Sequence, residues 1–196
     1  MSTIGLDSLY YATITEDAKT GEETYGTPEA LSKAIKADMS AEVAEAILYA
    51  DDSAAEVVKE FKQGKLSLNI QELGSAKAAA LLGATVDSKG VLISGAEDVA
   101  APVAVGFRAR KSSGDYVYYW LYRVIFAVPA DSLQTKGDSI SFATPTIEGT
   151  IIRRNKADAK GKHPWRATID EGEAGADAAT ITGWFTDVYE PTYPTV

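Results

Sequence analysis

The sequence contains no cysteine, and it contains a single histidine. Without cysteine, disulfide bonds, thiolate zinc sites and thiol catalysis are excluded. No apolar run approaches the 18 or so residues that a membrane-spanning helix needs. The N-terminal residues lack the basic region and the long apolar stretch of a signal peptide. We therefore expect a soluble chain that is made and folded in a cytoplasm and has no membrane partner.

Catalytic motifs are also missing. His163 stands in a basic loop beside Pro164, and no second histidine or cysteine could complete a metal site or a triad. No glycine-rich phosphate loop or dinucleotide fingerprint occurs, and the acidic clusters lack the spacing of a calcium loop. Two carboxylates for glycoside hydrolysis stay open, although nothing singles out a pair. We expect no catalytic residue, no cofactor, no metal and no enzymatic activity.

The composition is that of one acidic, packed domain. The 196 residues are 45% hydrophobic and carry a net charge of −9, from 28 acidic and 19 basic residues. This length supports one core, and the acidity disfavours tight binding to phosphate backbones. We expect a single domain over residues 1–190. Residues 191–196, with two prolines and no periodicity, should form an extended C-terminal arm.

Alternating and β-branched segments predict a mainly β protein. The expected architecture is antiparallel β with one or two short helices. Residues 34–49 have a mixed period that leaves strand and helix open, and of these we favour two strands. An acidic loop is expected over 51–63. The clearest predicted strands lie at 9–15, 65–71, 91–94, 102–109, 116–128, 140–142, 147–153 and 165–169.

Two short helices are expected. Ser75 should cap an alanine-rich helix that ends at Gly83. Asp177 should cap a second helix, which carries four apolar residues at helical spacing. These residues are Ile181, Trp184, Phe185 and Val188.

The most informative segment is the predicted hairpin at 102–128, with a five-residue turn at 111–115. Alternation puts Val105, Phe107, Val117 and Leu121 on the face that should cover the core. The opposite face has the aromatic and arginine composition of protein interfaces, and we predict that it contacts a neighbouring subunit. The alternative is that a helix of the same chain covers it. This face consists of Arg108, Arg110, Tyr116, Tyr118, Trp120 and Tyr122.

Four blocks of the sequence resemble the major tail protein of long, flexible-tailed bacteriophages. They are IGL with LYYA at 4–12, LYADD at 48–52, the block from TKGDS to TPTIEGT at 135–150, and DAATITGWF at 177–185. In this order the blocks cover the chain from about residue 4 to residue 188. The resemblance implies a tail tube subunit. Its fold would be an antiparallel β-sandwich or partly rolled barrel with one or two short flanking helices, similar to the tube protein of type VI secretion.

The resemblance also implies how the chain works. Six copies would form a ring, and stacked rings would form the conduit for DNA ejection in the virion tail. The partners would be further copies, other tail proteins at the tube ends, and DNA that passes through without tight binding. We place ring stacking in the loop after residue 49, unless that loop is an ordinary amphipathic strand. The predicted stacking residues are Asp51, Asp52, Glu56, Val57 and Phe61.

Charge gives a further expectation. A conduit for DNA should not offer clustered lysine or arginine to phosphates, so we predict a lumen of net negative charge. The alternative is that the acidic residues cover the outside. The predicted lumen residues are Asp38, Glu42, Glu45 and Glu148.

A binding module is the second functional hypothesis. A carbohydrate-binding or adhesive β-sandwich on a surface would use exposed aromatic side chains such as Trp120 or Trp165 as ligand platforms. Such a module would stay monomeric at high concentration, whereas a tube subunit would assemble.

Overall fold

The computed structural model of the protein describes residues 2–50, 53–129 and 144–193. It is mainly β, as the alternating segments predicted. The elements, in chain order, are β1 Thr3–Glu16, β2 Glu23–Tyr25, β3 Glu29–Ser32, β4 Ala34–Ala50, β5 Ser53–Ile70, α1 Ser75–Leu82, β6 Thr85–Val86, β7 Leu92–Ile93, β8 Val103–Lys111, β9 Tyr116–Phe126, β10 Thr146–Ile151, β11 Arg166–Asp170 and α2 Ala178–Thr182.

One large antiparallel sheet dominates the fold. Its strand order is β2-β1-β8-β9-β10-β5-β4, with β3 also paired to β1 and β11 also paired to β9. Strand β3 pairs with β1 on one side of the sheet, and β4 forms the edge on the opposite side. Only Lys33 separates β3 from β4 in the chain. The sheet must therefore curl until its two edges approach each other, but it does not close into a barrel. Strands β6 and β7 form a separate pair.

The main core fills the inside of this curl. Leu66, Leu68 and Ile70 of β5 point inward, as their alternation predicted, and Leu81 of α1 packs against the same cluster. A second cluster lies on the outer face of β1, β8 and β9. The sheet is thus covered on both sides where β8 and β9 cross it.

The β8–β9 hairpin has the predicted register. Arg110 pairs with Tyr116, Arg108 with Tyr118 and Gly106 with Trp120. In the turn, the Lys111 N–H donates to the Asp115 carbonyl at 2.8 Å, and Gly114 adopts a φ of 103°. A regular continuation of this register would pair Ala104 with Tyr122, but the register shifts between Val103 and Val105.

Several local expectations were wrong. Residues 34–49 form one long strand, β4, and most of the expected loop at 51–63 belongs to β5. Ser75 is the first helical residue, after Gly74 at the N-cap, whereas Gly83 ends α1 in the left-handed region as predicted. The strand predicted at 140–142 lies outside the described residues.

Helix α2 is shorter than predicted. It ends at Thr182, and the chain continues through turns past Trp184 and Val188. Asp177 is the N-cap, as expected, and its side chain accepts a hydrogen bond from the Thr180 N–H at 2.7 Å. Neither of the two described helices has the length and apolar character needed to cross a bilayer.

Candidate assembly surfaces

The aromatic face of the β8–β9 hairpin is covered by the chain's own C-terminal segment, which we define as residues 178–193. Trp120 is 0% exposed, and its indole N–H donates to the Trp184 carbonyl at 2.9 Å. The Tyr122 hydroxyl donates to the Tyr189 carbonyl at 2.8 Å. The C-terminal segment is thus fixed to the hairpin by packing and by hydrogen bonds from both aromatic side chains.

This cover corrects the predicted subunit interface. Tyr118, Trp120 and Tyr122 are buried in the subunit, so they are not available to a neighbouring copy while the C-terminal segment is in place. The alternative, a cover from the same chain, describes the structure, but the residues that bond to the hairpin, Trp184 and Tyr189, lie in the turns after α2 rather than in a helix. The remaining members differ in exposure: Arg108 and Tyr116 are half-buried, and Arg110 is exposed.

Arg108 is held within the subunit as well. Its Nε donates to the Asp7 carboxylate at 2.5 Å, and its guanidinium lies 4.2 Å from the centre of the Tyr116 ring. The hydrogen bond to Asp7 is the main reason that the pKa of Arg108 is raised. The charge of Arg108 is therefore already compensated by β1.

A buried polar network lies beneath the C-terminal segment, and no pattern in the sequence predicted it. Glu23 is 0% exposed, forms an ion pair with Arg123, and accepts a hydrogen bond from the Asn155 N–H at 2.9 Å. Arg154 is also fully buried, and its Nη1 donates to Glu190 at 2.9 Å. These contacts tie β2, β9 and the loop after β10 to the C-terminal segment.

Two tyrosines in this network should resist ionisation. Burial raises the pKa of Tyr25 and of Tyr122 above the usual value of about 10, and the nearby Arg154 guanidinium only partly opposes that shift. The folded chain thus keeps protons that the unfolded chain releases. Their contribution to stability is complete below about pH 10 and is lost as the pH rises further.

The test is an alkaline titration of the ten tyrosines. We expect the phenolate absorbance to rise in two phases, the later one coinciding with loss of the circular dichroism signal of the folded chain. Tyr122→Phe should remove part of the later phase. If all tyrosines ionise in one phase near pH 10 while the chain stays folded, the buried positions of these phenols are wrong.

The four predicted lumen residues lie on strands, but not on one face. Asp38 on β4 is opposite Ser67 on β5, which is opposite Glu148 on β10, so these positions share a face. Glu42 follows on the same face of β4, and Glu45 lies on the opposite one because side chains alternate. Three of the four residues can therefore line one surface.

These carboxylates are largely compensated by lysines. The Asp38 carboxylate lies 2.6 Å from the Lys36 ammonium, and the Glu42 carboxylate lies 3.7 Å from the Lys65 ammonium. On the face shared by Asp38, Glu42 and Glu148, these two lysines meet three carboxylates. A cavity of about 340 Å³ opens over this region, lined by Asp38, Lys65 and Glu148 among others. The face is polar and weakly acidic.

The β4–β5 ribbon extends well past the rest of the sheet. Strand β10 pairs with β5 only from Gly64 to Asn69. Over residues 42–50 and 53–63, which we call the arm, β4 and β5 pair only with each other among the described residues. Val43 and Val57 on one face of the arm are 54% and 48% exposed. The arm is thus a two-stranded ribbon with exposed apolar side chains.

The predicted stacking residues have different environments. Asp51, Asp52 and the side chain of Glu56 lie outside the described residues. Val57 is exposed on the arm. Phe61 was wrongly placed among them, because its ring stacks on Trp165 at a centroid distance of 4.5 Å.

The aromatic platforms of a binding module are not free in this fold. Trp120 is buried under the C-terminal segment. Trp165 is half-buried against Phe61, and the Arg166 guanidinium lies 4.7 Å from the centre of its ring.

His163 is exposed in its loop, with Nδ1 3.2 Å from the Arg154 carbonyl oxygen. Within the described ranges, no group of three or more acidic, histidine or cysteine side chains is arranged to hold a metal ion.

No protein-family model matches this chain, and no curated protein matches it either.

Proposed function

We propose that this chain is the structural subunit of a phage tail tube, which assembles with copies of itself into stacked rings of six that conduct DNA. The sequence blocks that resemble major tail proteins motivate this assignment. The arm is the observation that carries it, because the arm has the properties of an element made to bind another copy. The chain has no enzymatic role in this proposal.

The arm is hard to understand in an isolated molecule. A two-stranded ribbon alone is marginally stable in water. Strand edges left open are sites for pairing with another chain. Residues 53–63 of β5 would span about 35 Å at roughly 3.3 Å per residue. A ribbon of that reach, with Val43 and Val57 exposed on one face, gains most by packing against a second copy in the next ring.

The open seam of the curled sheet supports contacts within a ring. One edge of strand β1 pairs with β8, and on its other edge β3 pairs only with residues 9–11. Residues 3–8 therefore have one edge without a strand partner in the described part of the chain, and this edge faces β4. A cavity of about 350 Å³ lies between Thr3, Leu6 and Met39. Edge pairing between copies would join the curled sheets into one inner barrel.

The weakly acidic face is our candidate for the lumen. Asp38, Glu42 and Glu148 would face the DNA, and Lys36 and Lys65 would reduce their charge without reversing it. A duplex would then pass without tight binding. In this proposal the subunit is made in the cytoplasm of a host bacterium, ends in the virion tail, and meets other tail proteins at the tube ends.

The purified chain should therefore assemble, and charges on the arm should prevent it. We expect rings or tubes in negative-stain micrographs and a mass above that of a monomer in light scattering. Val43→Asp with Val57→Asp should raise the concentration needed for assembly by about tenfold or more, since charged groups would have to leave water. The melting temperature of the monomer should change little, because both valines are exposed.

A matched control is available on the same molecule. Ile93 and Val99 are exposed at 53% and 81% outside the arm, so Ile93→Asp with Val99→Asp adds the same charge elsewhere. The control should assemble like the wild type. A wild-type chain that stays monomeric at high concentration would contradict the proposal and favour a monomeric binding module.

A further inference from the structure

Basic residues are concentrated in one loop of this acidic chain. Residues 153–166, which follow β10 and end at the first residue of β11, contain six lysines and arginines and one acidic residue, Asp158. The rest of the chain has thirteen basic and twenty-seven acidic residues. A local excess of positive charge is costly unless negative groups compensate it. The loop thus carries a net charge of about +5, opposite in sign to the −9 of the whole chain.

Only part of this charge is compensated within the subunit. Glu190 binds both Arg154, at 2.9 Å, and Lys156, at 3.1 Å. The other four cations have no carboxylate within 4 Å in the part of the chain that the structure describes. They are Arg153, Lys160, Lys162 and Arg166, and all four are exposed.

Hydrogen bonds to Asp158 order the backbone of the turn that carries Lys160 and Lys162. The Asp158 carboxylate accepts hydrogen bonds from the Lys160 N–H at 2.9 Å and the Lys162 N–H at 2.8 Å. The Tyr193 hydroxyl donates to the same carboxylate at 2.5 Å, and the Lys160 ammonium lies 4.1 Å from the centre of the Tyr193 ring. A preorganised loop loses little conformational freedom when it binds.

Other turns of the chain share this backbone geometry without the charge. The Lys19 N–H donates to Asp17 at 2.7 Å, and the Lys89 N–H donates to Asp87 at 2.8 Å, each two residues after the aspartate. Each of these turns has one lysine, whereas the loop at 153–166 adds cations on both sides. The turn itself does not require the extra charge.

We propose that the loop at 153–166 is the surface through which one copy of the chain binds an acidic surface of a second copy. This inference rests on the proposed self-assembly and names one of its contacts. The acidic remainder of each copy is the complementary surface, and complementary charge both steers association and selects its orientation. A nucleic acid is a poorer occupant, because the whole chain carries −9 and would repel it.

The first test reverses charges on matched turns. Lys160→Glu with Lys162→Glu should raise the concentration at which the full chain assembles by about tenfold at low salt. The effect should shrink near 0.5 M salt, because screening shortens the range of charge interactions. Lys19→Glu with Lys89→Glu makes the same change of charge on the same kind of turn and should shift assembly less than about twofold.

The outcomes separate this inference from the proposed function. If the wild type assembles and the two variants behave alike, the role of the loop is wrong and self-assembly stands. If the wild type stays monomeric, both are wrong. Binding of a short DNA duplex to the wild type, lost in the loop variant, would also overturn the inference, because the partner would then be a nucleic acid.

A second test needs no variant. A carbodiimide joins lysine amines to carboxylates in direct contact, and a mixture of ¹⁴N and ¹⁵N chains reveals which links join two copies. We expect mixed-isotope links from Lys160 or Lys162 to an aspartate or glutamate of another copy in the assembled sample. If these lysines form links only to carboxylates of the same copy, the inference is wrong.

Discussion

Replacing Trp120 with alanine should lower the free energy of unfolding by about 3–5 kcal/mol, as the removal of large buried aromatic side chains generally does. Trp120 is fully buried, and its indole N–H holds the Trp184 carbonyl. Its ring also fills the space over Gly106, where an added Cβ would lie 2.8 Å from the ring. Domains are stable by only about 5–15 kcal/mol, so the variant should be at the margin of folding. Urea denaturation followed by circular dichroism measures the loss.

Two variants give this prediction its control. Trp120→Phe keeps most of the ring but removes the hydrogen bond to Trp184, and it should cost less than the alanine change. Trp165→Ala removes a half-buried indole and should also cost less. If Trp120→Ala folds with nearly wild-type stability yet fails to assemble, the hairpin face is a subunit interface after all, and the C-terminal segment does not cover it.

The hairpin shows what a sequence can specify. Alternation and the turn at 111–115 fix the register of β8 and β9, because both are local features. The partner of the outer face is not local. Trp120 and Trp184 are separated by 64 residues in the chain, and the apolar spacing that predicted α2 does not say which surface it covers. The need for a cover was predictable, and its identity was not.

The arm shows the opposite difficulty. Residues 41–46 combine alanine and glutamate, which favour helices, with valine, which favours strands, so the propensities of this segment do not decide between helix and strand. Pairing with β5 along the whole of β4 decides it. The same pairing places residues 53–63, which were expected in an acidic loop, in strand β5. Local preference is weak here, and contacts with another strand override it.

No pattern in the sequence predicts the buried ion pair between Glu23 and Arg123. Glu22 and Glu23 are adjacent in a polar turn region, and no alternation of apolar and polar residues there predicts that either side chain is buried. The structure buries Glu23 because Arg123 and Asn155, from β9 and the loop after β10, meet it there. Only the tertiary arrangement reveals such a site, since each partner is more than 90 residues away.

Replacing Glu23 with alanine should therefore destabilise the fold by about 3–5 kcal/mol, the usual cost of removing one partner of a buried ion pair. Arg123, whose side chain is 14% exposed, would keep only the half-exposed Glu16 carboxylate at 3.6 Å, and the Asn155 N–H would lose its acceptor. Because Asn155 lies near the start of the basic loop at 153–166, the change should also loosen that loop. Urea denaturation measures the first effect, and amide hydrogen exchange over residues 153–166 measures the second.

The controls separate charge from packing. Glu16→Ala removes the more exposed carboxylate near Arg123 and should cost less than about 1 kcal/mol. Glu23→Gln keeps an acceptor for the Asn155 N–H but loses the negative charge, so its cost should fall between those of Glu16→Ala and Glu23→Ala. Equal and small losses for Glu16→Ala and Glu23→Ala would mean that water reaches Arg123, and the tie between β2, β9 and the basic loop would then contribute little to the fold.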